Sequence, residues 1–133
     1  MSEQTTVGEE DGSHPVKTIL IVEDDAEMGA FLIQALKDET PYQALLVTDG
    51  FQALKAIRTI RPNLFLLDYQ LPSMDGLELY DHLHASEGLE QIPMLLMSAH
   101  PPQREIKQRG LRCLEKPFEL EELLQTVREL LEL

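Results

Sequence analysis

The sequence predicts an α/β domain, a doubly wound, five-stranded parallel sheet with helices on both faces and a short or irregular fourth helix. Three observations lead there. Short apolar runs alternate with amphipathic stretches five times along the chain. The runs are too short for helices and read as strands buried on both faces. The length, 133 residues, suits one domain with one ordinary hydrophobic core.

Residues 1–15 are polar and aperiodic, and Glu3, Glu9, Glu10 and Asp11 stand there without any Lys or Arg. They predict a disordered acidic tail, with the domain running over 16–133. Thr18-Ile19-Leu20-Ile21-Val22 predicts the first strand. From Ala26 the period changes, and Met28, Phe31, Leu32, Ala35 and Leu36 trace one apolar helix face. Tyr42–Val47 predicts the second strand. Asp49-Gly50 signals a turn, and Leu54, Ile57 and Ile60 form a second helical stripe that stops at Pro62. Leu64–Leu67 predicts a third strand and Gly76–Leu83 a third helix with Leu77, Tyr80 and Leu83 inward. Pro93–Met97 predicts the fourth strand. Arg104–Arg109, between Pro101-Pro102 and Gly110, is a short helix at most. Leu111–Leu114 predicts the fifth strand. Leu120, Leu123, Leu124, Val127, Leu130 and Leu131 predict a last helix packed on its own sheet, opened by Pro117. Met94 and Met97 read as core.

Composition narrows the function. Eleven basic and 24 acidic residues give a net charge of −13, which repels nucleic acid and anionic lipid. Arg104, Lys107, Arg109 and Arg112 reverse that balance locally, and a solvated helix face is the plain explanation. The lone cysteine, Cys113, forms no internal disulfide, and no stretch approaches the ~20 apolar residues of a membrane span. A cytoplasmic domain with no membrane contact is the expectation.

Parallel sheets of this kind bind ligands outside the carboxyl ends of their strands. Four of the five strands deliver a polar side chain there: the first runs into Glu23-Asp24-Asp25, the third into Asp68, the fourth into Ser98 and the fifth into Lys116. Asp25 reads more simply as favouring the start of the first helix. Three carboxylates at adjacent strand ends repel one another, and a hard divalent cation relieves them. Oxygen ligands without clustered His or thiolate favour Mg²⁺, which leaves positions for phosphate oxygens. His14, His82, His84 and His100 have no metal-ligand spacing. Carboxylate, metal, amine and hydroxyl are the parts needed for phosphoryl transfer to an aspartate.

Four segments carry a family resemblance: Ile19-Leu20-Ile21-Val22-Glu23-Asp24-Asp25, Leu66-Leu67-Asp68-Tyr69-Gln70-Leu71-Pro72-Ser73-Met74-Asp75-Gly76, Ser98-Ala99 and Glu115-Lys116-Pro117-Phe118. In that order and spacing they resemble the response-regulator receiver family, the CheY-like proteins of two-component phosphorelays. The likeness covers about residues 16–133. It implies the flavodoxin-like strand order 2-1-3-4-5. It implies Asp68 as nucleophile and phosphoacceptor, taking its phosphoryl group from a sensor histidine kinase. It also implies Mg²⁺ bound by Asp24, Asp68 and the Gln70 carbonyl, with Glu23 acting through water. Lys116 would contact the phosphoryl group, and Ser98 would hydrogen-bond it once formed. Ala99 would leave its path open, and Gln70 and His100 would modulate the lifetime of the acyl phosphate, although a solvated loop is the plainer reading of His100. Pro117 would take a cis peptide and Gly76 a close helix start.

The chain departs from the family twice. Ser98 and Lys116 are close in sequence, which shortens the fourth helix. Cys113 stands where receivers often carry a switching Tyr or Phe. Both departures lie on the usual output surface and leave the chemistry intact. If the chain ends at Leu133, output passes through a separate effector protein; the oligomeric state is open. Two alternatives fit the residues less well. A binding module that is never phosphorylated would typically have lost the acids or the lysine, which are kept here. A Mg²⁺-dependent phosphohydrolase of the haloacid-dehalogenase type needs an Asp-x-Asp pattern at the first strand, which Glu23-Asp24-Asp25 lacks.

Overall fold

Four largely apolar runs and one mixed run form the strands of the computed structural model, which describes residues 15–132. They are β1 (Thr18–Val22), β2 (Gln43–Val47), β3 (Leu64–Asp68), β4 (Met94–Ser98) and β5 (Arg112–Glu115). All pair in parallel, in the order β2-β1-β3-β4-β5. The helices between them are α1 (Ala26–Glu39), α2 (Gly50–Ala56), α3 (Gly76–His84), α4 (Gln103–Arg109) and α5 (Leu120–Leu131). The acidic tail expected over 1–15 lies, Pro15 apart, outside the described residues.

Alternate strand residues feed two cores, one on each face, because successive side chains point to opposite sides of a sheet. Leu20, Val22, Phe65, Leu67, Met94 and Leu96 pack with Ala53 of α2, Leu77, Leu79 and Leu83 of α3, and Ile106 of α4. Ile19, Ile21, Leu64, Leu66, Leu95 and Met97 pack with Leu32 and Leu36 of α1 and with Leu123, Leu124, Val127 and Leu131 of α5. Every residue of β3 and β4 is buried. Each fully buried Leu or Ile contributes about 1.5–3 kcal/mol of transfer free energy.

The differences from expectation are local. The Leu54–Ile57–Ile60 stripe packs on the first core, but α2 ends at Ala56 and continues as a tight turn, with Arg58 N–H donating to the Lys55 carbonyl at 3.2 Å. The β-branched Ile57, Thr59 and Ile60 ahead of Pro62 disfavour another α turn. Asp49, expected in a turn, is the α2 N-cap, its carboxylate accepting from Gln52 N–H at 2.8 Å. In α3, Leu79 is fully buried, and Tyr80 is only half-buried, its ring stacked on His84. Phe31 and Leu120 lie on predicted apolar stripes yet are 43% and 36% exposed, at the rim of α1 and in the first turn of α5. Helix α4 is seven residues long, closed by Gly110 in the left-handed region at φ 62°.

One contact ties a helix to the functional edge. A Cβ at Gly76 would lie 2.5 Å from the Asp68 carbonyl oxygen and 2.9 Å from Leu96 Cδ1. A glycine in a helix is ordinarily stabilised by replacement with alanine. Here the sign reverses: Gly76→Ala is expected to lose about 2–4 kcal/mol by urea denaturation, since backbone has to move.

Candidate functional site

The carboxyl ends of the three central strands and of β5 bring the predicted residues to one place. Glu23 leaves β1 with its N–H on the Val47 carbonyl at 3.0 Å, and its carboxylate accepts from Asp25 N–H at 3.1 Å. Asp25 itself caps α1, accepting from Glu27 N–H at 2.9 Å and Met28 N–H at 3.3 Å, so its carboxylate serves the helix. Asp68 is the last residue of β3, followed at once by Tyr69 N–H on the Met97 carbonyl at 2.9 Å. Lys116 follows β5, its N–H on the Ser98 carbonyl at 2.8 Å, and the Lys116–Pro117 peptide is cis as the resemblance implied.

Side chains converge accordingly. Lys116 Nζ lies 2.7 Å from Asp68 Oδ1 and 3.4 Å from Glu23 Oε1. Glu23, Asp24 and Asp68 each offer a carboxylate oxygen within 4.8 Å of the others. They are the metal-competent cluster among the described residues, and none of the described histidines joins it. Glu23 and Asp68 are 1% and 5% exposed, whereas Asp24 is exposed and leaves the cluster open on one side. Three hard oxygen donors with an open side fit a divalent cation that keeps part of its water.

Charge is unevenly satisfied. Burial raises the Asp68 carboxyl above its ordinary range, and Asp24 raises it further; Lys116 and the Tyr69 N–H pull it back only in part. Glu23 is likewise raised by burial, then by Asp68, against the opposing Asp25 N–H and Lys116. Burial would lower Lys116, but its hydrogen bond with Asp68 and the charges of Asp68 and Glu23 outweigh it, so the ammonium is held above its ordinary value. The shared lysine adds to the contrast. A single ammonium gains from several carboxylates, while each carboxylate receives only a share of that ammonium.

The remaining predicted residues surround this group. Ser98 is 4% exposed, and its hydroxyl oxygen accepts from His100 N–H at 3.1 Å. Gln70 follows β3, and Ala99 and His100 follow β4; all three are exposed. Cys113 is half-buried against the first core, and burial pushes its thiol up to about 11, so it stays protonated at neutral pH. In the basic stretch, Arg109 pairs with Asp81 and Arg112 with Glu129, while Arg104 and Lys107 are exposed. Two contacts were not legible in the sequence: the direct Glu23–Lys116 pair and the Asp81–Arg109 pair. Their partners lie 93 and 28 positions apart, and no local spacing announces them.

Comparison with known proteins agrees with this fold. The response regulator receiver domain family matches residues 19–128. The chain is 35% identical to the DNA-binding response regulator MtrA of Mycolicibacterium paratuberculosis, over 83% of this chain and 49% of that protein. It therefore spans about half the length of that relative. It is 30% identical to the polar-differentiation response regulator DivK of Brucella anthropi, over 86% of this chain and 96% of that one. Among solved structures, the receiver domain of sensor histidine kinase PA1611 from Pseudomonas aeruginosa, with magnesium in its active site cleft, superposes with a TM-score of 0.79. The identity is 28%, covering 90% of this chain and all of that one.

The charge imbalance sets a testable sign. A carboxylate whose pKa is raised by folding contributes stability that is present at low pH and lost as pH rises through the folded value. Without divalent metal, Asp68→Asn is expected to be more stable than wild type at about pH 7.5, on the order of 1 kcal/mol or a few degrees in Tm. That advantage should shrink as pH falls through the folded value of the wild-type carboxyl, where it takes up its proton; thermal scans from neutral into acid pH check it.

Proposed function

The chain belongs to the response-regulator receiver family of two-component systems, and from that premise we propose that it is a phosphoryl-accepting switch acylated on Asp68. The observation that carries this reading is the contact of Lys116 Nζ with Asp68 Oδ1 at 2.7 Å inside a cluster of three acids. Asp68 attacks the phosphorus of a phosphohistidine on a sensor kinase. A carboxylate O–P bond forms, the N–P bond breaks, and the histidine leaves with the electron pair. Mg²⁺ would be held by Asp24, Asp68 and the Gln70 carbonyl, with Glu23 acting through water, and would supply charge neutralisation for the phosphoryl oxygens.

The protein's own groups do the rest. Lys116, held cationic, follows the negative charge from the Asp68 oxygen to the phosphoryl oxygens. Ser98 donates its hydroxyl proton to one of these oxygens. Ala99, with only a methyl group, leaves the approach open. Gln70 and His100, exposed on neighbouring loops, flank the path of attacking water and tune the lifetime of the acyl phosphate. The domain is a switch, catalysing only its own phosphorylation and dephosphorylation. It works in the cytoplasm, where kinases load their histidines from ATP, and passes its state to an effector protein. Its net charge of −13 disfavours direct contact of this domain with nucleic acid.

Incubation with Mg²⁺ and a small phosphodonor is expected to add one phosphoryl group, read by intact mass, with Asp68→Asn losing the adduct. No adduct on wild type would leave a binding module as the better reading; undiminished labelling of Asp68→Asn would remove the nucleophile assignment. Lys116→Ala is expected to retain Mg²⁺-dependent thermal stabilisation, which reaches about 2.7 kcal/mol at 100 times Kd. Its phosphorylation rate should fall about 10²-fold or more, the scale for removing a group that stabilises developing charge. An unchanged rate would make Lys116 a bystander.

A further inference from the structure

Helix α3 is fastened at two places. At its start, Asp75 and Glu78 form a reciprocal cap, Gly76 N–H donates to the Tyr69 carbonyl at 2.8 Å, and the Gly76 backbone rests against the Asp68 carbonyl. The helix therefore moves with the strand end that carries Asp68. Two turns on, it grips α4. Arg109 Nε and Nη2 donate to the two carboxylate oxygens of Asp81, both at 2.9 Å, and Tyr80 Oη donates to the Arg109 carbonyl at 3.4 Å. Arg109 Nη1 also donates to the Glu105 carbonyl at 3.0 Å, within α4 itself. The planar guanidinium meets the carboxylate along two parallel bonds, the geometry in which an exposed pair has most effect.

The other end of α4 has no side-chain cap. Pro102 at its N-cap makes no side-chain bond to the helix, and Ile106 is its buried residue. Residues 99–102 lead into it from Ser98, whose hydroxyl oxygen holds His100 N–H at 3.1 Å. If that hydroxyl turns towards a phosphoryl group on Asp68, the His100 backbone is carried along or released, and the start of α4 shifts. Cys113 provides no aromatic ring to occupy space vacated by such a shift. The Asp81–Arg109 contact lies at the far end of the helix.

We propose that Asp81 on α3 and Arg109 on α4 form a latch that holds α4 in the unphosphorylated arrangement and opens when Asp68 is acylated. The latch rests on the phosphoacceptor reading above. Because coupling between two sites is reciprocal, a contact made only in the resting state opposes the activated one. Removing it therefore favours the activated state, by a factor of roughly two to five for an exposed bidentate pair.

The test titrates the full chain with beryllofluoride, a tetrahedral phosphoryl analogue, at saturating Mg²⁺, following amide chemical shifts at residues 68–70 and 103–109. Asp81→Asn and Arg109→Gln are each expected to lower the half-saturating concentration roughly two- to five-fold. The two together should give no further gain. The exchange of charges, Asp81→Arg with Arg109→Asp, should return the value towards wild type, and high salt should erase the difference. Tyr80→Phe, which keeps the ring and deletes the hydroxyl, should act in the same direction and more weakly. A purely structural role predicts loss of stability without the gain in affinity and without the charge-exchange rescue. Unchanged or weakened affinity in the single variants, or additive effects in the double, overturns the latch alone. Failure of wild type to take up beryllofluoride, with no phosphoryl adduct, overturns the phosphoacceptor reading and the latch with it.

Discussion

The shared ammonium of Lys116 is the interaction on which the functional edge depends. Glu23, Asp24 and Asp68 bring three negative charges into a space less than 5 Å across, and two of these carboxylates are almost fully buried. Water screens the buried pair only from the open side at Asp24, and one lysine neutralises only one charge. The edge is therefore left with an excess of two negative charges when all are ionised, the amount a divalent cation carries. Electrostatic strain of this kind is characteristic of sites kept for chemistry, because an apolar substitute would serve stability better.

The rest of the architecture exists to hold that strain in place. β1 and β3 lie side by side at the centre of the sheet, with β3 buried along its whole length, so Asp68 and Glu23 have little freedom to separate. Lys116 reaches them from β5, two strand positions away from β3, and its backbone is locked to Ser98 on the intervening β4. The two cores act as clamps on either face. Gly76 lets α3 sit directly on the Asp68 backbone. From α3 the contact passes to α4 through Asp81 and Arg109, which gives the shortened fourth helix a mechanical partner that is not β5.

Much of this was legible from residue order. Short apolar runs placed all five strands and period-3.6 stripes the principal helices, and the missed boundaries fall where caps and β-branched residues decide the last turn, as at Ile57 and Asp49. The strand-end rule pointed to Glu23, Asp24, Asp68, Ser98 and Lys116 because a parallel sheet sends the residues after its strands to one edge. Periodicity did less well at helix rims. Phe31 and Leu120 belong to apolar stripes but face outward, and Leu79 is buried outside the expected α3 face. Where a helix sits over a twisted sheet decides which flank of its stripe is covered, and composition does not carry that information.

By itself, the order of residues determined the chemistry available at the edge and the class of sheet that would gather it, because both follow from local pattern and from the direction of parallel strands. Only the tertiary structure decided that Lys116 is divided between Asp68 and Glu23, that Ser98 holds the His100 backbone, and that Asp81 grips Arg109. Except for the short Ser98 turn, these contacts join residues far apart in the chain. Their geometry depends on strand register, helix placement and burial, and the energies that select them are differences between charges sharing one low-dielectric space.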